Sequence, residues 1–384
     1  MSWQIDGAMQ LAYQVRAAGS ADLLDAGNAG LWDSGMVDSS SSNNVLYGGP
    51  ALVSRQRVFW QVRVWTDSDP SAPSAWSPPA FWEMGLLNGS DWSAQWISLS
   101  SGPPVFVHQF IVSGPVQSAR LYIAGLGVYE ARINGQAVSE DVLAPGNALY
   151  WIRVEYATYD VTSLLVSGGN TIAVELGNGT YNMVQPVGRY ADIVTGASFM
   201  PVLKAQLEIT YPGGVQAEAT NADWRAALAP TTTLTWWGGE DYDARRLPQG
   251  WDLPGADISA WAQANPLPAA AANFNLTWRG APGVRISESV APVAITQPRP
   301  DVYVFDMGVN FAGWFQLQVS GPAGTKVTTW IGEILNPDGT VSQTTTGSPI
   351  FDTYTLSGNG VETWHPKFAY HGFRYLQLTG LPAP

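Results

Sequence analysis

The sequence predicts an all-β protein made of three consecutive β-sandwich modules. Apolar and polar residues alternate over many short stretches, and this is the two-residue period of a β-strand. The 384 residues include 40 Gly and 27 Pro, which form the tight turns between strands. Aromatic residues make up 12% of the chain, and they favour strands that pack against one another. No stretch carries the period of a helix of ordinary length.

The first module is predicted over residues 1–86. The stretch RVFWQVRVWTD (57–67) alternates, with Val58, Trp60, Val62 and Val64 on one face and Phe59, Gln61, Arg63 and Trp65 on the other. A loop rich in Pro and Ser and a last strand follow it. This spacing of strands and turns is typical of a small fibronectin type III-like β-sandwich.

A connector and two further modules are predicted after the first. Residues 87–98 form a Trp-rich connector, in which Trp92 and Trp96 pack between modules. The second module is predicted over 99–278, where strands such as SARLYIAGL and NTIAVELGN are separated by turns. The third is predicted over 279–384 as another β-sandwich, with strands such as FRYLQLTG.

Charge and composition argue against several classes of function. The formal net charge is −13 and the 18 Lys and Arg form no cluster, so we expect no nucleic-acid partner. No Cys is present for disulfides or Cys-ligated zinc. No apolar run reaches the ~20 residues that span a bilayer, so we expect no membrane partner. Nucleotide-binding glycine loops are also missing, which predicts no nucleotide or organic cofactor.

The location of the protein stays open at the level of sequence. The N-terminal stretch MSWQIDGAMQLAYQVRAAG has no basic start followed by an apolar core, so we expect no signal peptide in this sequence. An extracellular and a cytoplasmic location both remain alternatives.

Short stretches spread over nearly the whole chain, in order, resemble the N-terminal half of bacterial α-L-rhamnosidases, which are glycoside hydrolases of the family 78 type. The stretches are LWDSG (31–35), VFWQVRVW (58–65), DWSAQWI (91–97), YEARINGQAV (129–138), VLAPG (142–146), YATYDVT (156–162), LGNGTYN (176–182), GGEDYDAR (238–245), FDMGVNFAGW (305–314), GEILNPDGT (332–340) and ETWHPKFAYHGFRYLQLTG (362–380). No single stretch is decisive, but the ordered set is specific.

The resemblance implies a domain content and a role. In that family an (α/α)6 barrel follows the β-modules and hydrolyses the glycosidic bond, and this sequence has no long helical repeat to build one. The resemblance therefore implies accessory β-modules whose C-terminal catalytic domain is missing. It also implies that the second module is a jelly-roll domain similar to carbohydrate-binding modules that hold L-rhamnose through Ca²⁺.

Side chains on turns of the second module are the candidate sugar ligands. Asn134, Asn178 and Asn182 each offer a carbonyl acceptor and an NH2 donor, which match the hydroxyls of a sugar. Tyr181 and Trp236 are candidate stacking surfaces for a pyranose ring. Two alternatives stay open. The Asn-Gly pair at 134 also has the composition of a type I′ hairpin turn, and Trp236 would equally suit a packed seam between modules.

A calcium site is predicted in the same region. Asn178 and Asn182 supply neutral oxygen ligands within one short loop, and such a site also needs a carboxylate. Asp192 would add it, and Glu240, Asp241 and Asp243 are the alternatives. Calcium is the one cofactor that the sequence predicts.

Carboxylates and one histidine are the candidate catalytic residues. Glu240, Asp241 and Asp243 form the densest acidic cluster, and glycoside hydrolysis requires a pair of carboxyl groups. His371 could act as a base. In the alternative interpretation, the acidic residues form structural ion pairs with the arginines that follow them, and His371 is a turn residue at the start of a strand.

Three functions follow from these patterns. The main hypothesis is non-catalytic recognition of glycans that contain L-rhamnose, with Ca²⁺ as a bridging ion. A second hypothesis is a complete glycoside hydrolase or lyase that acts on rhamnosides through carboxylates of the middle module. The third is a purely structural scaffold.

Overall fold

The computed structural model describes residues 1–191, 200–268 and 271–381, which divide into two compact units, Met1–Trp92 and Ser93–Pro384. The elements of the first unit are β1 (Gln10–Ala18), α1 (Ala21–Asp25), β2 (Trp32–Asp33), β3 (Val37–Asp38), β4 (Arg57–Thr66), β5 (Ala80–Glu83) and a 3-10 turn (Gly89–Asp91). The strands form one sheet in the order β2-β1-β4-β5, and β3 also pairs with β1.

Both faces of this first sheet are covered by aromatic side chains from outside it. On one face, Trp3 packs edge-on against Tyr13 of β1 at 5.2 Å between ring centroids. On the other face, the guanidinium groups of Arg16 and Arg63 lie 4.2 and 4.8 Å from the ring centre of Trp76. Strand β4 therefore alternates between two packed faces, as its sequence predicts.

The second unit begins with nine strands and a 3-10 turn. They are β6 (Ile97–Ser98), β7 (Pro104–Val112), β8 (Ser118–Leu126), β9 (Val128–Ile133), β10 (Gln136–Ala137), β11 (Asp141–Val142), β12 (Val154–Asp160), the turn Thr162–Leu164, β13 (Gly168–Gly177) and β14 (Val202–Tyr211).

The remaining strands of the second unit complete two sandwiches. They are β15 (Gly214–Ala219), β16 (Arg225–Leu228), β17 (Thr231–Thr235), β18 (Gly239–Asp243), β19 (Ala262–Gln263), β20 (Asn265–Pro266), β21 (Leu276–Trp278), β22 (Val284–Arg285), β23 (Ala294–Arg299), β24 (Val302–Ala312), β25 (Leu317–Ser320), β26 (Lys326–Gly332), β27 (Ile334–Leu335), β28 (Val341–Ser342), β29 (Phe351–Thr355), β30 (Val361–Trp364) and β31 (Gly372–Thr379).

The middle sandwich consists of two large sheets that share one apolar core. One sheet has the order β10-β9-β13-β7-β16-β19, and the other has the order β20-β6-β14-β8-β12-β21 with β15 beside β14. Phe106 and Ile172 of the first sheet and Ile123 and Leu207 of the second are fully buried in this core. Burial of such side chains contributes about 1.5–3 kcal/mol each, which makes this core the main source of stability of the sandwich.

The third sandwich packs a seven-stranded sheet against a two-stranded sheet. The larger sheet has the order β17-β18-β29-β26-β31-β24-β23, and the smaller one is the antiparallel pair β25-β30. Ile331 and Phe373 of the larger sheet share a buried core with Leu317 and Trp364 of the smaller one.

The chain crosses from the middle sandwich into the third sandwich at β17 and β18. After β16 the chain leaves the middle sandwich, and β18 pairs in parallel with β29, with Asp241 opposite Thr353. The chain then returns to the middle sandwich through β19, β20 and β21. Residues 231–243 therefore lie in the third sandwich, although the sequence prediction placed them in the second module. Local alternation identifies a strand but not its distant pairing partner, and so the crossing was missed.

The predicted all-β class built from β-sandwich modules is confirmed. Trp96, predicted to pack in the connector, is buried and lies edge-on to Phe274 within the second unit. Over the described ranges of the chain, the longest α-helix has five residues, which is too short to cross a bilayer.

Candidate functional site

Asn134 occupies a hairpin turn rather than an open sugar site. It lies between β9 and β10 with φ = 52°, and Gly135 follows with φ = 79°. Two successive positive φ angles define the type I′ turn, so the hairpin interpretation is confirmed. Its Nδ2 donates to Leu164 O at 2.9 Å and to Asn170 Oδ1 at 2.8 Å, and its Oδ1 accepts from Thr171 N at 2.9 Å. The amide is therefore occupied by the protein itself.

Asn178 and Asn182 lie together, but they face the protein interior. Asn178 is 6% exposed, and its Nδ2 donates to Leu234 O at 3.0 Å. Its Oδ1 accepts from Asn182 Nδ2 at 3.1 Å. The two amides thus bond to each other and to the backbone beneath them. This arrangement fixes the loop after β13, because buried polar groups are stable only when they are paired.

The predicted polar grip on a sugar is not formed. In the antiparallel pair of β9 and β13, Ile133 lies opposite Ile172 and Val128 lies opposite Gly177. Asn134 and Asn178 therefore lie at opposite ends of these strands, about 20 Å apart at the rise of a β-strand. Asp192, the predicted carboxylate ligand for Ca²⁺, lies outside the described residues. Within those residues no cluster of three metal-ligating His, Cys, Asp or Glu side chains occurs.

The two predicted stacking residues differ in their surroundings. Tyr181 packs edge-on against Tyr150 at 5.1 Å near the surface. Trp236 is buried and stacks on Tyr370 at 6.2 Å, and it is Tyr370 that is 45% exposed. The packed alternative for Trp236 is thereby supported. Trp151, which follows Tyr150 and is 81% exposed, is the most exposed tryptophan at this end of the middle sandwich.

Asp241 and Asp243 form ion pairs. Asp241 accepts from the buried guanidinium of Arg189 and from the hydroxyl of Thr353. Asp243 accepts two hydrogen bonds from Arg245, at 2.9 and 2.8 Å. Asp243 therefore pairs with Arg245, one of the two arginines that follow it, as the structural alternative predicted. Asp241 instead pairs with Arg189, which lies 52 residues earlier in the chain.

Glu240 and His371 belong to one buried polar cluster. Glu240 is fully buried, and it accepts from the backbone N–H groups of Lys367 and Phe368, each at 3.0 Å. His371 Nε2 lies 2.9 Å from Asp352 Oδ2, and Asp352 Oδ1 accepts from Glu240 N at 2.9 Å. His371 immediately precedes β31, where the sequence placed a turn residue.

A largely covered lysine, Lys367, whose side chain is 15% exposed, extends this cluster into the middle sandwich. Lys367 lies in the segment between β30 and β31, and its Nζ contacts Glu175 Oε2 of β13 at 2.8 Å and Glu130 Oε2 of β9 at 3.0 Å. Burial opposes ionisation of Glu130, but Lys367 and Arg132 outweigh it and lower its pKa to about 2. Burial likewise opposes the charge on Lys367, but Glu175 and Glu130 raise its pKa. These contacts join the third sandwich to the middle one.

This geometry does not provide the chemistry of glycoside hydrolysis. A pair of catalytic carboxyl groups must face a common space that admits a sugar and a water molecule. Glu240 is sealed and holds two backbone N–H groups, while Asp241 and Asp243 are committed to arginines. The cluster is suited instead to holding two sandwiches in a fixed arrangement.

The sequence prediction missed Glu130, Glu175, Asp352 and Lys367. One signal was available, since Glu175 interrupts the apolar run of NTIAVELG with a charge that must find a partner if the strand is buried. The partner itself could not be identified, because Lys367 lies 192 residues further along the chain.

The cluster predicts a pH-dependent stability. Burial, followed by the neighbouring Asp352, raises the pKa of Glu240 from an ordinary value of 4.5 to about 8. The folded state therefore holds this proton more tightly than the unfolded state, and the stability it contributes is lost as the pH rises from 4.5 through about 8. We expect Glu240→Gln, which cannot ionise, to reduce the loss of unfolding free energy between about pH 5 and pH 9.

Chemical denaturation across this pH range measures the effect. The matched control is Glu288→Gln, since Glu288 is exposed in the same unit. Equal pH slopes for the wild-type chain and Glu240→Gln would refute the assignment.

Sequence-family profiles match three segments of the chain. Residues 1–88 match the Rha78A-like N-terminal immunoglobulin domain, residues 114–288 match the alpha-L-rhamnosidase N-terminal domain, and residues 296–384 match the bacterial alpha-L-rhamnosidase concanavalin-like domain. The first profile describes an immunoglobulin domain, so the finer fibronectin type III-like assignment stays a prediction.

Individual proteins match over the whole chain. A curated alpha-L-rhamnosidase of Formosa agariphila is 35% identical and covers 100% of this chain and 43% of its own length. The structure of alpha-L-rhamnosidase from Dictyoglumus thermophilum has a TM-score of 0.89 at 32% identity, over 100% of this chain and 44% of that one. The Streptomyces avermitilis alpha-L-rhamnosidase complexed with L-rhamnose has a TM-score of 0.87 at 28% identity, over 100% and 53%. The chain spans about half the length of the curated relatives it matches.

Proposed function

Because this chain carries the N-terminal β-domains of the α-L-rhamnosidase family, we propose that it is the non-catalytic region of such an enzyme and supports its hydrolytic domain. The support role follows from the way in which the second unit is built. A hydrolytic domain that rests on two sandwiches needs them to keep one fixed arrangement. Contacts between the two sandwiches support this role, because Lys367 pairs with Glu175 and Glu130 across them and Phe368 packs against Val128 beside those ion pairs.

The observation that carries the proposal is the engagement of the candidate catalytic carboxylates. Glu240 accepts two backbone N–H groups in a sealed site, and Asp241 is held by Arg189. A general acid and a nucleophile must instead be free to reach the glycosidic oxygen and the anomeric carbon. The charges of this cluster therefore contribute to structure, and hydrolysis is assigned to the remainder of the enzyme.

The test is an assay of the purified 384-residue chain with 4-nitrophenyl α-L-rhamnopyranoside. We expect release of nitrophenol no faster than in buffer, from a protein whose unfolding transition shows that it is folded. Turnover that disappears in Asp241→Asn would overturn the proposal and favour the hypothesis of a complete glycoside hydrolase.

Recognition of L-rhamnose by the middle sandwich is a second candidate function. The observation that favours it is the exposed ring of Trp151, next to the edge-on pair of Tyr150 and Tyr181. An exposed indole provides an apolar surface for the C–H face of a pyranose. Calcium binding would require a carboxylate beyond the mutually bonded amides of Asn178 and Asn182, and Asp192 is the residue proposed for it.

Calorimetric titration of L-rhamnose, with and without Ca²⁺, tests this candidate. If the middle sandwich binds L-rhamnose, the titration should show heat of binding, and Trp151→Ala should abolish it. If Ca²⁺ takes part, the unfolding temperature of the chain should rise when calcium is added. Absence of both would leave the support role alone.

A further inference from the structure

We infer that a polar pocket in the first unit, Met1–Trp92, binds a neutral sugar. The pocket has a volume of about 530 Å³, which lies within the range of about 300–1,000 Å³ found for small-molecule sites. Tyr13 and Trp32 form aromatic parts of its wall, and Asp33, Asn43 and Asn44 are among its polar groups. Trp32 and Asp33 belong to the LWDSG stretch, which neither the middle sandwich nor the buried cluster explains.

The wall of the pocket is held in place by hydrogen bonds from behind. Gln10 Nε2 donates to the carbonyl oxygens of Ser39 and Ser41 at 2.8 and 2.9 Å, and Gln10 Oε1 accepts from Trp3 Nε1 at 2.8 Å. Ser34, another lining residue, accepts from Val15 N of β1 through its Oγ at 2.9 Å. A site whose walls are fixed before binding loses little conformational entropy when the ligand enters.

The groups that line the pocket retain unused hydrogen-bonding capacity. In the part of the chain that the structure describes, the side chains of Tyr13, Asn43 and Asn44 make no hydrogen bond, and both asparagines are exposed. A phenol and two amides provide donors and acceptors for vicinal hydroxyls. This contrasts with Asn134 and Asn178, whose amides are occupied by the protein.

Aromatic surface and charge define the class of ligand. The Trp32 indole packs closely against Gly48, where even an added Cβ would lie only 3.1 Å from the ring. The same indole also contributes to the pocket wall. An indole wall with amides beside it suits the apolar face and the hydroxyls of a pyranose. Asp33 is the carboxylate in the lining, and no Lys or Arg is among the lining residues. A uronic acid or a phosphorylated sugar would therefore be repelled.

This inference does not rest on the proposed function. The pocket lies entirely within the first unit, whereas the support role is argued from the buried cluster of the second. Its ligand class also follows from side chains that take no part in the middle sandwich.

Saturation-transfer NMR on the full chain tests the inference with three probes. Methyl α-L-rhamnopyranoside and methyl α-D-glucopyranoside are the neutral probes, and D-glucuronate is the anionic one. We expect at least one neutral sugar to bind with a Kd in the millimolar range, and glucuronate to bind about tenfold more weakly or not at all. Trp32→Ala and Asn43→Ala should each weaken binding of the neutral sugar by about tenfold.

Asn43→Ala and two control variants make the result decisive. Asn43 is exposed, so Asn43→Ala keeps the test valid even if Trp32→Ala does not fold. Phe81→Ala is the control within the same unit, because Phe81 is 59% exposed and does not line the pocket. Trp151→Ala separates this pocket from the middle sandwich. Binding that is unchanged in both pocket variants, or no saturation transfer at about 20 mM of either neutral sugar, would overturn the inference.

Discussion

Replacing Lys367 with methionine is expected to lower the unfolding free energy of the second unit by about 3–5 kcal/mol. The ammonium group is the shared partner of Glu175 and Glu130, at 2.8 and 3.0 Å. Methionine keeps much of the apolar stem but removes the charge, so the buried carboxylate of Glu175 would lose its ammonium partner, while Glu130 would keep Arg132. Breaking a buried ion pair at one partner is costly because the remaining charge stays desolvated. Urea denaturation followed by intrinsic fluorescence measures the loss.

Two variants serve as controls for this prediction. Lys326→Met removes a lysine that is exposed on β26, and it should change the unfolding free energy by no more than about 0.5 kcal/mol. The double variant Glu175→Gln with Lys367→Met also removes the carboxylate charge that Lys367 would leave unpaired, and it should recover part of the loss. Equal stability of Lys367→Met and Lys326→Met would show that the cluster does not join the sandwiches.

Truncating Phe368 to alanine is expected to cost about 3–5 kcal/mol. Phe368 is 1% exposed, and it packs with Val128 of the middle sandwich and with Leu234 and Trp236 of the third. The ring also lies directly over Gly177, where an added Cβ would collide with it. Removal of the ring leaves a cavity between the two sandwiches that a close β-strand backbone cannot fill.

Comparing two replacements of different size at Phe368 shows whether the loss of stability comes from packing of the ring. Phe368→Leu retains most of the apolar volume, and it should cost clearly less than the alanine variant. Trp151→Ala removes an exposed ring, and it should change stability by no more than about 0.5 kcal/mol. A similar loss for the leucine and alanine variants would contradict a packing role for Phe368.

Local features of this fold were predictable from sequence because their causes lie within a few residues. Strand β4 follows from alternation in RVFWQVRVWTD, and the hairpin at Asn134 follows from its Asn-Gly pair. The pairing of Asp243 with Arg245 needs only the geometry of one strand end.

The candidate site could not be predicted in the same way, because distant segments determine it. Asn178 looks like a free amide on a turn until Leu234 is placed beneath it. Glu240 looks like part of an acidic surface cluster until β18 joins β29 and the Lys367 backbone covers it. Turn chemistry predicted which side chains lie on loops. Contacts with distant segments, such as Leu164 and Asn170 for Asn134 and the β17 strand for Asn178, determine that their amides are occupied.

Differential scanning calorimetry of the full chain tests most directly whether the middle and third sandwiches act as one support. If the buried cluster joins them, they unfold in one transition, and Ile123→Ala in the middle core and Ile331→Ala in the third core shift that same transition. If the sandwiches are independent, two transitions appear and each substitution shifts only its own. That second result would contradict the account.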